Sequence, residues 1–155
     1  MLADEAKSDA ASDGLAQALL ATMKLANRLS VSETFAKHGV TVPEWLLLSV
    51  FPADGTPVTV RRLSALTGLT PTRVKVLVVN LESNGLIKGS TTESGRSTQP
   101  FAVSETGLSL DGRIRKILSE IQESMSTPTQ TQALVRAGRV LNRFSKKFVQ
   151  SAPQP

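Results

Sequence analysis

The feature that most constrains the fold is the stretch 63–89, LSALTGLTPTRVKVLVVNLESNGLIKG, in which two short apolar-patterned runs meet at Gly68. The second run opens with a Thr-Pro pair at 70–71, and these residue types cap a helix and occupy its first position. A glycine between two short helices permits the tight turn that sets them at a steep angle. The pattern therefore predicts a helix-turn-helix, with helices over 60–67 and 70–83.

One face of each predicted helix is apolar. It comprises Leu63, Leu66 and Leu69 in the first helix and the turn, and Val74, Leu77, Val78 and Leu81 in the second helix. The first turn of the second helix carries instead Thr70, Thr72, Arg73 and Lys75. In a helix-turn-helix this turn meets base edges, and its free N–H groups favour phosphate, so we predict that these residues contact DNA. A helical hairpin in a protein core, with a solvated first turn, would show the same pattern.

Positive charge is concentrated in the same region. Residues 60–116 contain nine Lys or Arg against four Asp or Glu, whereas residues 1–59 contain four against seven. A basic region on an otherwise mixed chain indicates a polyanionic partner such as nucleic acid, although solvated surface lysines give the same totals.

The hydrophobic period changes after the second helix. The segments LIKGSTT and TQPFAVS are short, partly alternating and separated by the polar ESGRS, which predicts a β-hairpin. Pro100 would confine its strand to an edge of the sheet. A ribbon directly after a helix-turn-helix makes a winged helix, with Arg96 and Ser97 at the tip, near the minor groove. Arg61 and Arg62 complete the predicted DNA-binding set.

The rest of the sequence predicts helices. Apolar residues recur at helical spacing over 13–38 and 114–125, and TVPE at 41–44 is a capping box that opens another helix, EWLLLSVF, which ends before Pro52. Thr127–Pro128 starts a last helix. It carries a heptad-like seam of Leu134, Ala137, Leu141, Phe144 and Phe148.

Composition excludes several other kinds of site. The sequence has no cysteine and one histidine, so it offers no disulfide, thiolate metal site or catalytic triad. It has no glycine-rich phosphate loop and no apolar run long enough to span a membrane. We therefore predict a cytoplasmic protein that is not an enzyme, without catalytic residues, metal or cofactor.

The order of these motifs resembles the MarR family of bacterial transcriptional regulators. The resemblance covers about residues 13–150, and SGR at 94–96 stands where the family has Asp-x-Arg. The matching residues are Leu81, Glu82, Gly85, Leu86 and Ile87 for the family pattern Leu-Glu-x-x-Gly-Leu-[Val/Ile], and Val103, Ser104 and Gly107 for its Leu-Thr-x-x-Gly.

The resemblance implies a mainly α fold with a small β-hairpin wing, in which a winged helix-turn-helix is flanked by N- and C-terminal dimerisation helices. The predicted division is a disordered lead at 1–12, a dimerisation helix at 13–40, the DNA-binding region at 41–104, dimerisation helices at 105–150 and a flexible tail at 151–155. The implied function is that of a homodimeric, sequence-specific regulator that binds a pseudo-palindromic operator in double-stranded DNA.

Exposed apolar stripes on the first and last helices independently favour a partner chain, although the two helices could pack on each other within one chain. The predicted dimer interface comprises Leu15, Leu19, Leu134, Ala137, Leu141, Phe144 and Phe148. Val76 and Val79 stand where the family commonly has Arg and Asp. They leave open the alternative of a winged-helix protein-interaction module with weak or no specific DNA binding.

The resemblance also implies a small aromatic or anionic effector, bound between the dimer helices and the winged helix, that releases the protein from DNA. Arg28, Phe35, His38 and Trp45 lie on the segments that would line such a cleft. His38 is equally a candidate for stabilising a helix C-terminus, and Trp45 for a place in the core.

Overall fold

The computed structural model describes residues 2–89, 99–125 and 127–151, although not the side chains of 2–13, 15, 125 and 147–151. Within these ranges the chain forms α1 (Leu2–Ser30), α2 (Glu33–His38), α3 (Val42–Leu48), β1 (Val58–Thr59), α4 (Val60–Thr67), α5 (Pro71–Ser83), β2 (Ile87–Gly89), β3 (Pro100–Val103), α6 (Glu105–Met125) and α7 (Pro128–Ser151). The chain divides into two compact units, Met1–Ile114 and Arg115–Pro155. The predicted fold class, mainly α with a small β wing, is confirmed.

The helix-turn-helix is built from local capping interactions, of which the cap at Thr70 and the stop at Gly68 were predicted from the sequence. Thr59 caps α4 by accepting the N–H of Arg62 at 3.3 Å, and Thr70 caps α5 by accepting the N–H of Arg73 at 3.3 Å. Gly68 ends α4 in the left-handed conformation, with φ of 72°, which a side chain would disfavour. Both helices therefore have the predicted bounds.

Leu66 was predicted to lie on the inner face of α4, and this is wrong. Its side chain is 46% exposed, whereas Val60 and Leu63 are buried. The covered side of α4 is centred on Val60, Leu63 and Thr67, and Leu66 lies to one side of it.

The wing is part of a three-stranded antiparallel sheet with the strand order β1-β3-β2. The prediction that Pro100 confines its strand to an edge is wrong, because β3 pairs with β1 on one side and β2 on the other. Pro100 is the first residue of β3, a position of a strand where a missing N–H is tolerated. Strand β1 was not predicted, since a Val-Thr pair is too short to show alternation. The tip, 90–98, lies outside the described residues.

A compact corner joins the sheet to α6. The Ser104 hydroxyl donates to the carbonyl of Gly85 at 2.7 Å and accepts the N–H of Gly107 at 3.0 Å, and the Ser104 N–H donates to the carbonyl of Leu86 at 3.0 Å. A Cβ at Gly107 would overlap the carbonyl oxygen of Leu86. This close approach starts α6 immediately after β3, earlier than the apolar spacing over 114–125 indicated.

The N-terminal helix also differs from the prediction. The backbone is helical from Leu2, and the disorder predicted for the lead over 1–12 stays a prediction. The single helix predicted over 13–38 is broken after Ser30, because Ser32 is extended and its hydroxyl donates back to the carbonyl of Leu29 at 2.6 Å. The predicted capping box at 41–44 is present, but α3 ends at Leu48.

The hydrophobic core of the first unit collects residues from α2 to α6. Its largest fully buried side chains are Phe35, Leu47, Leu48, Leu63, Val74, Leu81, Ile87 and Ile114. In the second unit, α7 starts at Thr127–Pro128 as the sequence predicted, and Thr127 caps it, since Gln130 and Thr127 exchange side-chain and backbone hydrogen bonds. Among the described residues, no helix combines the length and the hydropathy needed to cross a membrane.

Candidate nucleic-acid interface

The exposed side of α5 follows from the side that it buries. Val74, Leu77, Val78 and Leu81 are buried, because α5 packs against α3, α4 and β2. This packing leaves the predicted contact residues Thr70, Thr72, Arg73 and Lys75 exposed on or just before its first turn. The Thr70 hydroxyl oxygen accepts the N–H of Arg73, so its proton remains available to a phosphate oxygen.

The first turn of α4 adds two cations, Arg61 and Arg62, and both are exposed. Within the described part of the chain, none of the four cations Arg61, Arg62, Arg73 and Lys75 forms an ion pair. The structure thus brings the helix-borne members of the predicted DNA-binding set onto the exposed surface of one helix-turn-helix. Arg96 and Ser97, the two wing residues of that set, lie outside the described residues.

A buried carboxylate, which the sequence did not identify as more than a cap, connects α3 to α5. Glu44 accepts the backbone N–H of Thr41 at 2.8 Å and the side-chain amide of Asn80 at 2.9 Å. Burial raises the pKa of the Glu44 carboxyl, but hydrogen bonds from Thr41 and Asn80 and the charge of Arg73 bring it below the ordinary 4.5. The carboxylate is therefore charged at neutral pH, and it fixes α5 against α3.

The four predicted effector residues do not meet at one place. Phe35 and Trp45 contact each other edge to face, with ring centroids 5.8 Å apart, and the Trp45 indole N–H donates to Asp111 at 3.0 Å. His38 lines a separate cavity, and Arg28 is exposed in the last turn of α1. The partner of Trp45, Asp111, has no signal in the sequence, because it lies far along the chain on α6.

Two of the cavities lined by described residues open on the first unit. One, of about 460 Å³, is lined by Ser30, Phe35, Ala36, Gly39, Val40, Thr41, Pro43 and Arg73. The other, of about 410 Å³, is lined by Lys37, His38, Gly39, Val40, Asn84, Leu86, Thr106, Leu110 and Arg113. The first cavity is notable because Arg73 belongs to the exposed first turn of α5 as well. Nothing in the sequence pattern indicated that Arg73 lines a cavity.

The predicted dimer residues are largely uncovered. Leu19 on α1 and Leu134, Ala137 and Phe144 on α7 are exposed, and Leu141 is partly exposed. The side chains of Leu15 and Phe148 lie outside the described residues.

Known structures share this arrangement over nearly the whole chain. Staphylococcus aureus MarR, solved with salicylate and kanamycin, has a TM-score of 0.72 and 16% identity, covering 95% of this chain and 98% of that one. AbfR of Staphylococcus epidermidis has a TM-score of 0.74 and 15% identity, covering 96% and 99%. BpsR of Bordetella bronchiseptica, whose DNA binding is regulated by 6-hydroxynicotinic acid, has a TM-score of 0.63 and 14% identity, covering 85% and 98%.

The chain has the fold of the MarR-family transcriptional regulators. No family model matches the sequence, and neither does any curated protein. The likeness therefore rests on the arrangement of helices and strands. Because the sequence identities are this low, it establishes the fold alone.

We expect Glu44→Gln to lower the free energy of unfolding by about 1–2 kcal/mol at neutral pH, because hydrogen bonds to a charged acceptor are lost. The lowered pKa of Glu44 means that its stabilisation is present above the unfolded value of 4.5 and is lost as the pH falls through the folded value. Urea unfolding should therefore show a smaller difference between the two proteins at about pH 3 than at about pH 7.

Glu33→Gln is the matched control, since the Glu33 side chain is 85% exposed and pairs with the exposed Lys37. It should change stability by less than about 0.5 kcal/mol. A Glu44→Gln difference that is the same at both pH values would contradict the role assigned to the carboxylate.

Proposed function

We propose that the protein is a member of the MarR family and acts as a dimeric, sequence-specific transcriptional regulator that binds double-stranded DNA. The observation that carries this proposal is the first turn of α5, where Thr72, Arg73 and Lys75 are exposed around a helix N-terminus. Such a turn offers N–H groups and cationic donors to phosphates, and long side chains to base edges. The MarR-type fold of the chain supports the same conclusion.

DNA binding should depend steeply on salt. A dimer that makes about six phosphate contacts should lose about a thousandfold in affinity between about 50 and 200 mM salt. Lys75→Ala should weaken binding by about 1–3 kcal/mol per half-site, whereas Lys116→Ala, an exposed lysine of α6 outside the helix-turn-helix, should not. Fluorescence anisotropy with an operator selected from random duplexes measures both effects. Absence of DNA binding at low salt would favour the alternative, a winged helix used for protein contact.

The apolar stripes support the dimer. On α7, Leu134 is 57% and Phe144 is 45% exposed, and both lie on the heptad-like seam. On α1, Leu19 and Met23 form a similar exposed pair one turn apart. Each large apolar side chain that becomes buried contributes about 1.5–3 kcal/mol. A dimer in which a second copy of the chain covers these stripes would therefore be stabilised. Two-fold symmetry would then set the recognition helices about 34 Å apart, one turn of DNA.

Phe144→Asp should convert the dimer to monomer and abolish tight operator binding while leaving α5 unchanged. The substitution places a charge in the seam at a position that is already exposed in the single chain, so folding of the chain does not depend on it. Gln132→Asp, on the opposite side of α7, is the matched control. Light scattering measures the mass, and a wild-type monomer at micromolar concentration would contradict the dimer.

The cavity lined by Phe35 and Arg73 is the site that we assign to an effector. Two of the similar structures are of proteins that bind or respond to aromatic acids, salicylate for MarR and 6-hydroxynicotinic acid for BpsR. An aromatic acid in this cavity would place its ring against Phe35 and its carboxylate at Arg73. Arg73 would then be engaged by the ligand and unavailable to DNA.

Trp45 reports on this site, because it is the only tryptophan of the sequence and its ring contacts Phe35. Salicylate or 6-hydroxynicotinate should change its fluorescence, and Arg73→Ala should weaken that binding about tenfold or more, as expected for loss of a charge-assisted hydrogen bond. His38→Ala, in the other cavity, is the control and should bind normally. Loss of the response in His38→Ala alone would place the ligand in the other cavity.

A further inference from the structure

The outward face of α5 carries two valines that lie outside the buried core. Successive residues of a helix turn by about 100°, so the side opposite the buried Val74 and Leu81 presents Thr72, Val76 and Val79. Val76 is 49% and Val79 is 48% exposed. Two β-branched residues on the solvent side of a helix lower its intrinsic stability. Their presence there therefore indicates that this face binds a partner outside the chain.

The charges beside these valines indicate what the partner is. Arg73 lies on one flank of the outward face and Lys75 on the other, and both are exposed. The apolar surface is therefore a narrow strip between two cations, within the first three turns of the helix. Such a strip complements a polyanion that presents small apolar groups along a groove. The strip is too narrow to fill a hydrophobic groove on another protein. Such a groove binds a helix through apolar side chains spread over several turns.

Duplex DNA presents that combination in one place. In the major groove, the C5-methyl group of thymine is the apolar feature of the base edges, and it contacts alanine, threonine methyl or other apolar side chains in protein complexes. Val76 and Val79 are about 4.5 Å apart along the helix axis, since each residue rises about 1.5 Å. Base pairs are about 3.4 Å apart. The two valines therefore match neighbouring base pairs.

We propose that Val76 and Val79 read thymine methyl groups on neighbouring base pairs of each half-site, with Arg73 and Lys75 contacting phosphate or guanine beside them. This inference rests on the proposed DNA-binding function and adds the base preference that the helix imposes. It assigns to the two valines a role in specificity, in place of the charged residues that the MarR pattern commonly carries there.

Replacement of thymine by uracil tests the proposal, because uracil pairs with adenine identically and lacks only the C5-methyl group. The preferred half-site is first selected from random duplexes, and single thymines in it are then replaced by uracil. Wild-type protein should bind about fourfold more weakly for each methyl group removed at two neighbouring positions, as expected for the burial of one methyl group. Uracil at other positions should have no effect.

The variants assign each methyl group to one valine. Val76→Ala should respond less than wild type to uracil at one of the two positions, and Val79→Ala at the other, because the shorter side chain covers less of the thymine methyl group. Each variant should still respond fully at the remaining position. Both residues are exposed, so their truncation does not disturb the core. Leu66→Ala is the matched control, because Leu66 is 46% exposed but lies on α4, and it should keep both responses.

The outcomes separate this inference from the function on which it rests. Tight DNA binding that is equal for thymine and uracil, or a selected half-site without neighbouring A·T pairs, would overturn the role of the valines and leave the regulator intact. Failure to bind any duplex at low salt would overturn the proposed function and this inference together, and would favour a protein partner for the α5 face.

Discussion

Burial of the aliphatic side of α5 is the constraint on which the rest of the structure depends. Val74, Leu77, Val78 and Leu81 occupy one side of the helix, and α3, α4 and β2 close around it. Because a helix has only one opposite side, this burial decides which residues face outward. The same packing that stabilises the first unit thereby presents Thr72, Val76 and Val79 between two cations.

The Glu44 carboxylate makes this arrangement specific. Apolar packing tolerates small rotations of a helix, whereas a carboxylate that must accept hydrogen bonds from both Thr41 and Asn80 does not. A buried and charged acceptor would be costly without these partners, so the three residues depend on one another. Arg73 lies in the electric field of the same carboxylate and also lines a cavity. The proposed DNA contact and the proposed effector site thus converge on Arg73, in the first turn of α5.

Much of the fold was predictable because the interactions that start and end its helices are local. The helix bounds at Gly68 and Thr70, the capping box at 41–44 and the start of α7 at Thr127 all involve partners within four residues along the chain. The predictions that were wrong depend on what a segment packs against. Pro100 lies in a central strand because β1 supplies a distant partner, and Leu66 is exposed because α5 covers a different side of α4.

The candidate site divides in the same way. The sequence by itself determined that α5 begins with a capped, cationic first turn, since the caps and the spacing of Val74, Leu77 and Leu81 are local and periodic. Only the tertiary structure decided that Arg73 faces a cavity, that Glu44 accepts from Asn80, and that His38 and Phe35 line different cavities. The physical reason is distance along the chain. A cap is a contact between residues three positions apart, whereas the Glu44–Asn80 bond joins two helices whose meeting is set by the whole core.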